Sequence, residues 1–222
     1  MERLFQQKFD SLERARAFLE VQAEVLGPLG STAGAKALDA AIAAVSAYAM
    51  AQGVAQRELD GASNQARRIE KDLKKYLLTP LAKFARAQLT ESPEFGALHS
   101  VPSRLQGRRL ASAARAMASA AKPHLPALVA AQWAEDGEQA IEQAADALDG
   151  ALDACADALA RRRIGTVGIP IELTRGRNAV NLLDAVVTKK LALRPDLLAA
   201  WRMTKRIVQV PSRAAPPDAT AI

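Results

Sequence analysis

A row of carboxylates is the first feature of the sequence that could do chemistry. Between residues 135 and 160 the chain has eight Asp or Glu and no Lys or Arg. Six of these acids advance by three or four residues, a spacing that keeps side chains along one face of a helix. We define the acidic stripe as Glu138, Glu142, Asp146, Asp149, Asp153 and Asp157.

Carboxylates on a helix can bind metal ions, but in helical bundles they do so together with His partners at Glu-x-x-His spacing. The two histidines are His99 and His124, and neither has a Glu three residues before it. We therefore predict no metal ion and no other cofactor, and interpret the stripe as a face that solvent or a protein partner covers. A carboxylate-rich metal protein or enzyme stays as the least favoured alternative.

Two clusters of cations could bind phosphate groups. From residue 161 to residue 222 there are twelve Lys or Arg and four Asp or Glu, so the net charge changes from −8 over residues 135–160 to +8. The whole chain has a formal net charge of +6, which favours contact with polyanions without reading their sequence. The candidate polyanion-binding residues are Arg67, Arg68, Lys71, Lys74 and Lys75 in one cluster and Arg161, Arg162 and Arg163 in the other.

Nucleic-acid association is the second hypothesis because the clusters lack supporting motifs. The sequence has no helix-turn-helix or zinc spacing and no aromatic residues interleaved with the charges. Catalytic motifs are also missing: the glycines at 165 and 168 lack the Lys-Ser/Thr of a phosphate-binding loop, and Cys155 lies among apolar positions. The leading hypothesis is a non-enzymatic helical interaction or assembly protein whose partner is another protein or a second copy of the chain.

Composition predicts the elements that must position these residues. Half of the residues are apolar but only 4% are aromatic, and Ala, the strongest helix former, is abundant. This balance favours helix over sheet. We predict an all-α fold, an elongated antiparallel bundle of about six helices with short turns.

Apolar periodicity, Gly and Pro predict where the helices begin and end. A short helical turn near Ser92 is expected within a loop over residues 92–106. A linker from Gly165 to Pro170 is expected to separate the fifth helix from the sixth. The predicted helices run from Glu2 to Leu26, from Ser31 or Thr32 to Asp60, from Ser63 to Leu89 with a kink or break at Pro80, from Gly107 to Lys122 with Pro123 and Pro126 dividing it from a segment that reaches Trp133, from Gly137 to Arg163, from after Pro170 to Ala192, and from Pro195 onward.

The domain prediction is a single helical bundle over residues 1–210. The alternative is two halves, 1–91 and 107–210, joined by the loop 92–106. The tail over residues 211–222 contains three Pro and few bulky groups, so it is predicted to be disordered.

Cysteine usage and apolar run lengths predict a cytoplasmic protein without a membrane partner. Cys155 is the single cysteine, which excludes an internal disulfide. The first residues lack the basic and apolar regions of a secretory signal. The most apolar segment, Ala40 to Ala51, is shorter than the roughly 20 residues that span a bilayer.

The C-terminal third contains a recognisable set of residues: Gly176, Ala179, Val180, Leu183, Asp184, Ala185, Leu191, Pro195, the run Leu197 to Arg202, Arg206 and Ile207. With these residues it resembles the ending of a group of uncharacterised bacterial Ala- and Leu-rich helical proteins. A weaker likeness extends to Pro80 and to Arg115 through Met117. That resemblance implies an all-helical fold and a bacterial origin, and it implies no activity.

Overall fold

The computed structural model describes residues 3–131 and 133–207, and these residues form helices and turns without a strand. The described chain is therefore all-α, as the composition predicts. The α-helices are α1 (Arg3–Val21), α2 (Ala23–Leu26), α3 (Ala33–Asp72), α4 (Thr79–Gln88), α5 (Phe95–Leu98), α6 (Gly107–Ala121), α7 (Leu125–Ala130), α8 (Gly137–Lys190) and α9 (Pro195–Thr204).

The N-terminal helix is interrupted where the sequence predicts one continuous helix. Gln22 separates α1 from α2, and Gly27, at a φ of 67°, follows the last residue of α2. A left-handed backbone of this kind is readily adopted by Gly and strained in other residues. Thr32 then begins α3 as predicted, because its Oγ1 accepts a hydrogen bond of 3.3 Å from the backbone N–H of Ala35.

The predicted helix end at Gly61 and the predicted cap at Ser63 are wrong, because α3 continues through both residues to Asp72. A Gly inside a helix costs about 1 kcal/mol relative to Ala, which packing elsewhere along the helix can offset. Ala55 and Ala66 are buried on either side of Gly61.

Pro80 is accommodated by a change of helix type. The backbone adopts π-helical hydrogen bonding over Leu73–Leu78, and α4 follows directly. Thr79 donates its backbone N–H and its Oγ1 to the carbonyl oxygen of Lys74, the latter at 2.7 Å. A proline cannot donate to the carbonyl one α-helical turn earlier and clashes with it, so the wider turn relieves both problems. The α-helical pattern is thus broken near Pro80, as predicted, while the chain stays helical.

The middle of the chain agrees closely with the prediction. A short helix, α5, lies within the predicted loop, and α6 begins at Gly107. A 3₁₀ turn over Lys122–His124 separates α6 from α7, at the break predicted from two prolines. The C-terminal helix α9 begins at Pro195, also as predicted.

The largest correction concerns α8, which is one helix of 54 residues. The predicted end near Arg163 and the predicted linker from Gly165 to Pro170 are wrong. Pro170 removes one backbone hydrogen bond, but Ile169 and Leu173 are buried beside it and hold the helix against the core. Close packing against α3 favours Gly over larger residues at position 165, because a Cβ there would lie 3.1 Å from the carbonyl oxygen of Tyr48.

Two compact units divide the described chain. Unit 1 contains residues 3–52 and 163–207, and unit 2 contains Gly53–Arg162. The division differs from the predicted halves 1–91 and 107–210, because α3 and α8 each contribute to both units. Each unit has its own apolar core. The predicted disorder over 211–222 lies outside the described residues.

The core of unit 1 combines residues of α1, α2, α3, α8 and α9, and that of unit 2 combines residues from α3 to α8. Trp201 of α9 is fully buried in unit 1, where its ring lies 5.3 Å from the ring of Phe18. The largest fully buried side chains are Trp201, Leu12, Leu26 and Leu38 in unit 1 and Leu73, Leu78, Leu81, Leu98, Leu110, Leu128, Ile141 and Leu148 in unit 2.

One helical stretch of the described chain, Ala33–Gln88, is long and apolar enough to cross a membrane by length and composition. Its most apolar 18-residue window has a mean hydropathy of 1.3, and 22% of that window is buried. The core helix of a soluble protein passes the same criterion, so the finding is weak support for a span. The sequence-based argument against a membrane span considers only the length of the segment from Ala40 to Ala51. That argument no longer holds, because the helical stretch is longer than this segment.

Candidate functional site

Three cations on α6 and at its C-terminal end lie against the acidic stripe within unit 2. They are Arg108, Arg115 and Lys122. Seven residues are about two turns of an α-helix, so this spacing places the three cations on the same face. Arg115 is the central one: its Nη2 lies 2.6 Å from Asp146 Oδ1 and 2.9 Å from Asp149 Oδ2. The hydrogen bonds to these two carboxylates raise the pKa of the Arg115 guanidinium above its usual value.

The outer two cations extend the same pairing along the helix. Arg108 binds the carboxylate of Asp153, and Lys122 Nζ lies 2.7 Å from Glu138 Oε1. The hydrogen bond to Glu138 raises the pKa of the Lys122 ammonium. Four of the six carboxylates in the predicted partner-facing stripe therefore bind cations of the same chain. The seven-residue spacing of the three cations is the sequence signal that could have predicted this.

The basic cluster at the end of α3 is partly occupied by contacts within unit 2. Lys74 Nζ donates to the carbonyl oxygen of Ser103 at 3.0 Å, and Arg68 lies 3.9 Å from Asp72. Lys75 Nζ lies 4.8 Å from the centre of the Tyr76 ring, which is 60% exposed. The remaining members of this cluster, Arg67 and Lys71, are exposed.

The second basic cluster lies inside α8 and not beside a linker. Arg161 Nη2 is 2.6 Å from Glu58 Oε2 of α3. Arg162 and Arg163 are exposed. Arg161 and Arg162 belong to unit 2, whereas Arg163 belongs to unit 1.

A Ser, a Glu and a His come together where the loop after α4 meets the turn after α6. His124 Nε2 lies 3.1 Å from Glu94 Oε2 and 3.3 Å from Ser92 Oγ, and Ser92 Oγ also donates to the Glu94 carboxylate. A hydrolytic triad needs the nucleophile and the carboxylate on opposite ring nitrogens, whereas here both use Nε2. The cluster joins two segments of unit 2. The hydrogen bond from Ser92, followed by the other bonds to the carboxylate, lowers the pKa of Glu94.

Metal binding has no geometric support within residues 3–131 and 133–207. In that part of the chain no group of three His, Cys, Asp or Glu residues is arranged to hold a metal ion. A groove of about 340 Å³ in unit 1 has an apolar floor that includes Leu19 and Leu38, with the Arg16–Glu20 ion pair at its edge. Its lining includes the carboxylates of Glu20 and Asp39 and no His or Cys.

The outer face of α8 in unit 1 is apolar although it is exposed. The apolar periodicity of the sequence predicts the buried side of this helix, where Val180, Leu183 and Val187 are in the core, but it does not predict the opposite side. We define the outer face as the following eight residues, which, apart from the adjacent first two, are three, four or seven residues from one to the next: Arg163, Ile164, Val167, Ile171, Arg175, Leu182, Val186 and Lys189. Four of its apolar members are about 60 to 70% exposed: Ile164 62%, Val167 63%, Ile171 59% and Leu182 69%.

The charges of the outer face are all positive. Residues 163–207 contain nine Lys or Arg and three Asp or Glu, a net charge of +6. Two of these acids, Glu172 and Asp184, are half-buried, with their side chains 16% and 32% exposed. Arg175 lies 3.8 Å from Glu172, a loose contact. Unit 2, in contrast, has fifteen Lys or Arg and fourteen Asp or Glu.

Asp184 shows why the acids of this segment do not reach the outer face. Its Oδ1 accepts a hydrogen bond of 2.7 Å from Trp201 Nε1, and its Oδ2 lies 2.6 Å from Lys205 Nζ. Burial raises the pKa of Asp184, but the bonds from Lys205 and Trp201 outweigh burial and hold the pKa below its usual value. Asp184 therefore attaches α9 to α8.

Comparison with known proteins identifies no relative: a scan against protein-family models, a search of curated proteins and a search of solved structures each found no match.

Proposed function

We propose that this protein is a non-enzymatic helical interaction protein that binds its partner through the outer face of α8. The observation that carries the proposal is the row of exposed apolar side chains on a helix whose opposite side is anchored in a core. A soluble protein exposes single apolar residues routinely, but a continuous apolar row is typical of an interaction site. The acidic stripe is not the proposed binding surface, because four of its carboxylates form ion pairs with Arg108, Arg115 and Lys122 within unit 2.

The scaffold that presents this face is proposed to be an antiparallel bundle within each unit. In unit 2, the residue numbers of the α8 partners fall from Asp153 to Glu138 as those of the cations rise from Arg108 to Lys122. In unit 1, α3 and α8 follow the same antiparallel pattern, since Gly34 approaches Leu183. Further along α3, Tyr48 approaches Gly168, which lies earlier on α8.

Site-specific photo-crosslinking in the cells that make the protein tests the interaction. A photoreactive side chain at Val167 is expected to form adducts, whereas the same side chain at Gln143, exposed on α8 in unit 2, is expected to form few. Equal adduct yields at the two positions would contradict the proposal. Adducts between two copies of the chain would identify self-assembly, which sedimentation over a range of concentrations would then confirm.

Nucleic-acid association is the second candidate, and Tyr76 is the observation that favours it: contrary to the expectation of charges without aromatic residues, Tyr76 directly follows Lys75. Exposed aromatic rings beside cations can stack on unpaired bases, and Tyr76 lies against Lys75. Affinity for a single strand should then fall steeply with salt, and Arg67→Gln together with Lys71→Gln should reduce the slope of that dependence. An unshifted single strand and duplex at low salt would exclude this candidate.

A further inference from the structure

We propose that the partner of the outer face is an anionic lipid surface, on which α8 lies with its apolar row at the headgroup boundary. This inference rests on the proposed function, because it names the partner of the same face. It also departs from the expectation of no membrane partner, which concerns spanning segments and not helices that lie on a surface.

The chemistry of the face matches a lipid interface on two counts. Ile164, Val167 and Ile171 form an exposed apolar row, which could insert between acyl chains. Arg175 and Lys189 extend from the same row on long stems, so their charged ends can reach anionic headgroups. Thr174, one residue before Arg175, and Asn178, between the two cations, are exposed and polar but uncharged.

The absence of carboxylates among the residues of the outer face argues against a second copy as its partner. A symmetric dimer brings the same surface patch of both subunits together, and a patch with only cations repels itself. The acidic stripe is a poor complement, because Arg115 and its neighbours on α6 already bind it. Nucleic acid would use the cations but not the apolar row.

The anchoring of α8 explains how one side of the helix stays available. Val180, Leu183 and Val187 are buried in unit 1, and the Asp184 contacts hold α9 against the same side. Binding would therefore need no unfolding of the core, and the cost of ordering a flexible segment would be avoided.

Vesicle co-sedimentation of the full chain tests the proposal. Vesicles of equal parts phosphatidylglycerol and phosphatidylcholine should bind the protein, and vesicles of phosphatidylcholine alone should bind it far more weakly. Added salt should weaken binding to the anionic vesicles, because it screens the cations. Equal binding to both compositions, or binding to neither, would overturn the lipid proposal.

Matched variants separate the face from the overall charge. Ile171→Glu should weaken binding to the anionic vesicles about tenfold or more, whereas Gln143→Glu, which makes the same charge change on the same helix, should have a much smaller effect. Lys189→Gln should weaken binding about fivefold and Arg67→Gln, in unit 2, much less. Both substituted outer-face residues are exposed, so circular dichroism should show unchanged helicity.

The result also distinguishes the two levels of the proposal. Self-association or protein adducts that Ile171→Glu abolishes, without vesicle binding, would overturn the lipid partner and leave the interaction function standing. Vesicle binding that Ile171→Glu leaves intact would overturn the assignment to the outer face. Lipid binding lost in Ile171→Glu and retained in Gln143→Glu supports both.

Discussion

Replacing Gly168 by Ala should destabilise unit 1, although Ala is the better helix former. A Cβ at this position would lie 2.7 to 2.9 Å from three atoms of the Tyr48 ring, whereas ordinary van der Waals contact begins at 3.4 Å. Added volume in a packed site costs about 1 to 3 kcal/mol, and the helix propensity of Ala returns about 1 kcal/mol. The net expectation is a loss of up to about 2 kcal/mol in the free energy of unfolding.

Gly150→Ala is the matched control, because Gly150 lies inside the same helix and a Cβ there would meet no neighbouring side chain or helix within 4 Å. That variant should gain about 1 kcal/mol from propensity alone. The difference between the two variants is then the cost of the Tyr48 contact, about 1 to 3 kcal/mol. Thermal unfolding followed by circular dichroism should separate them by roughly 2 to 4 °C for each kcal/mol.

A double-mutant cycle identifies the cause. In a Tyr48→Ala background the ring is gone, so Gly168→Ala should stabilise the protein as Gly150→Ala does. If Gly168→Ala is as stabilising as Gly150→Ala in the parent protein, the close approach of α3 and α8 is refuted. If Gly168→Ala still destabilises the protein in the Tyr48→Ala background, the contact with the ring is not the reason.

Three further perturbations test other parts of the structure. Trp201→Ala should lower the free energy of unfolding, measured with urea, by about 3 to 5 kcal/mol because Trp201 is fully buried. Met203→Ala should lower it little, because Met203 is exposed on the same helix. Because the pKa of Glu94 is lowered in the fold, its contribution is complete above the ordinary Glu pKa of about 4.3 and is lost as pH falls. Glu94→Gln should therefore lower the melting temperature at neutral pH and match the parent in acid; a constant difference across pH would contradict this. Arg115→Gln should lower the melting temperature more than Arg109→Gln, and high salt should reduce that difference.

The α6–α8 pairing changes how the charge reversal near residue 161 is interpreted. Before the fold is considered, an acidic segment beside a basic one suggests two surfaces that could pair within one chain or between subunits. Arg115 shows a different use, since it binds two of the acids within unit 2. In unit 1 the three acids of residues 163–207 lie near cations of the same segment, Asp184 near Lys205, Glu172 near Arg175 and Asp196 near Arg194, and the segment still has a net charge of +6. The outer face of α8 therefore replaces the acidic stripe as the candidate interaction surface.

Helix ends set by local chemistry could be predicted from the sequence. Thr32 begins a helix because its side chain caps the first turn, and Pro195 begins another because its missing N–H is not needed there. Each of these features depends on a few neighbouring residues, so each is predictable without the fold.

The sequence alone determined an all-α chain, several helix boundaries and an unusual distribution of charge, because helix propensity, capping and net charge are local or additive properties. Only the tertiary structure decided what the glycines at 165 and 168 do, since a linker and a close helix contact use the same residue. It also decided which side of α8 is exposed: both sides carry apolar residues, and only the core of unit 1 distinguishes Val187, which is buried, from Ile171, which is not.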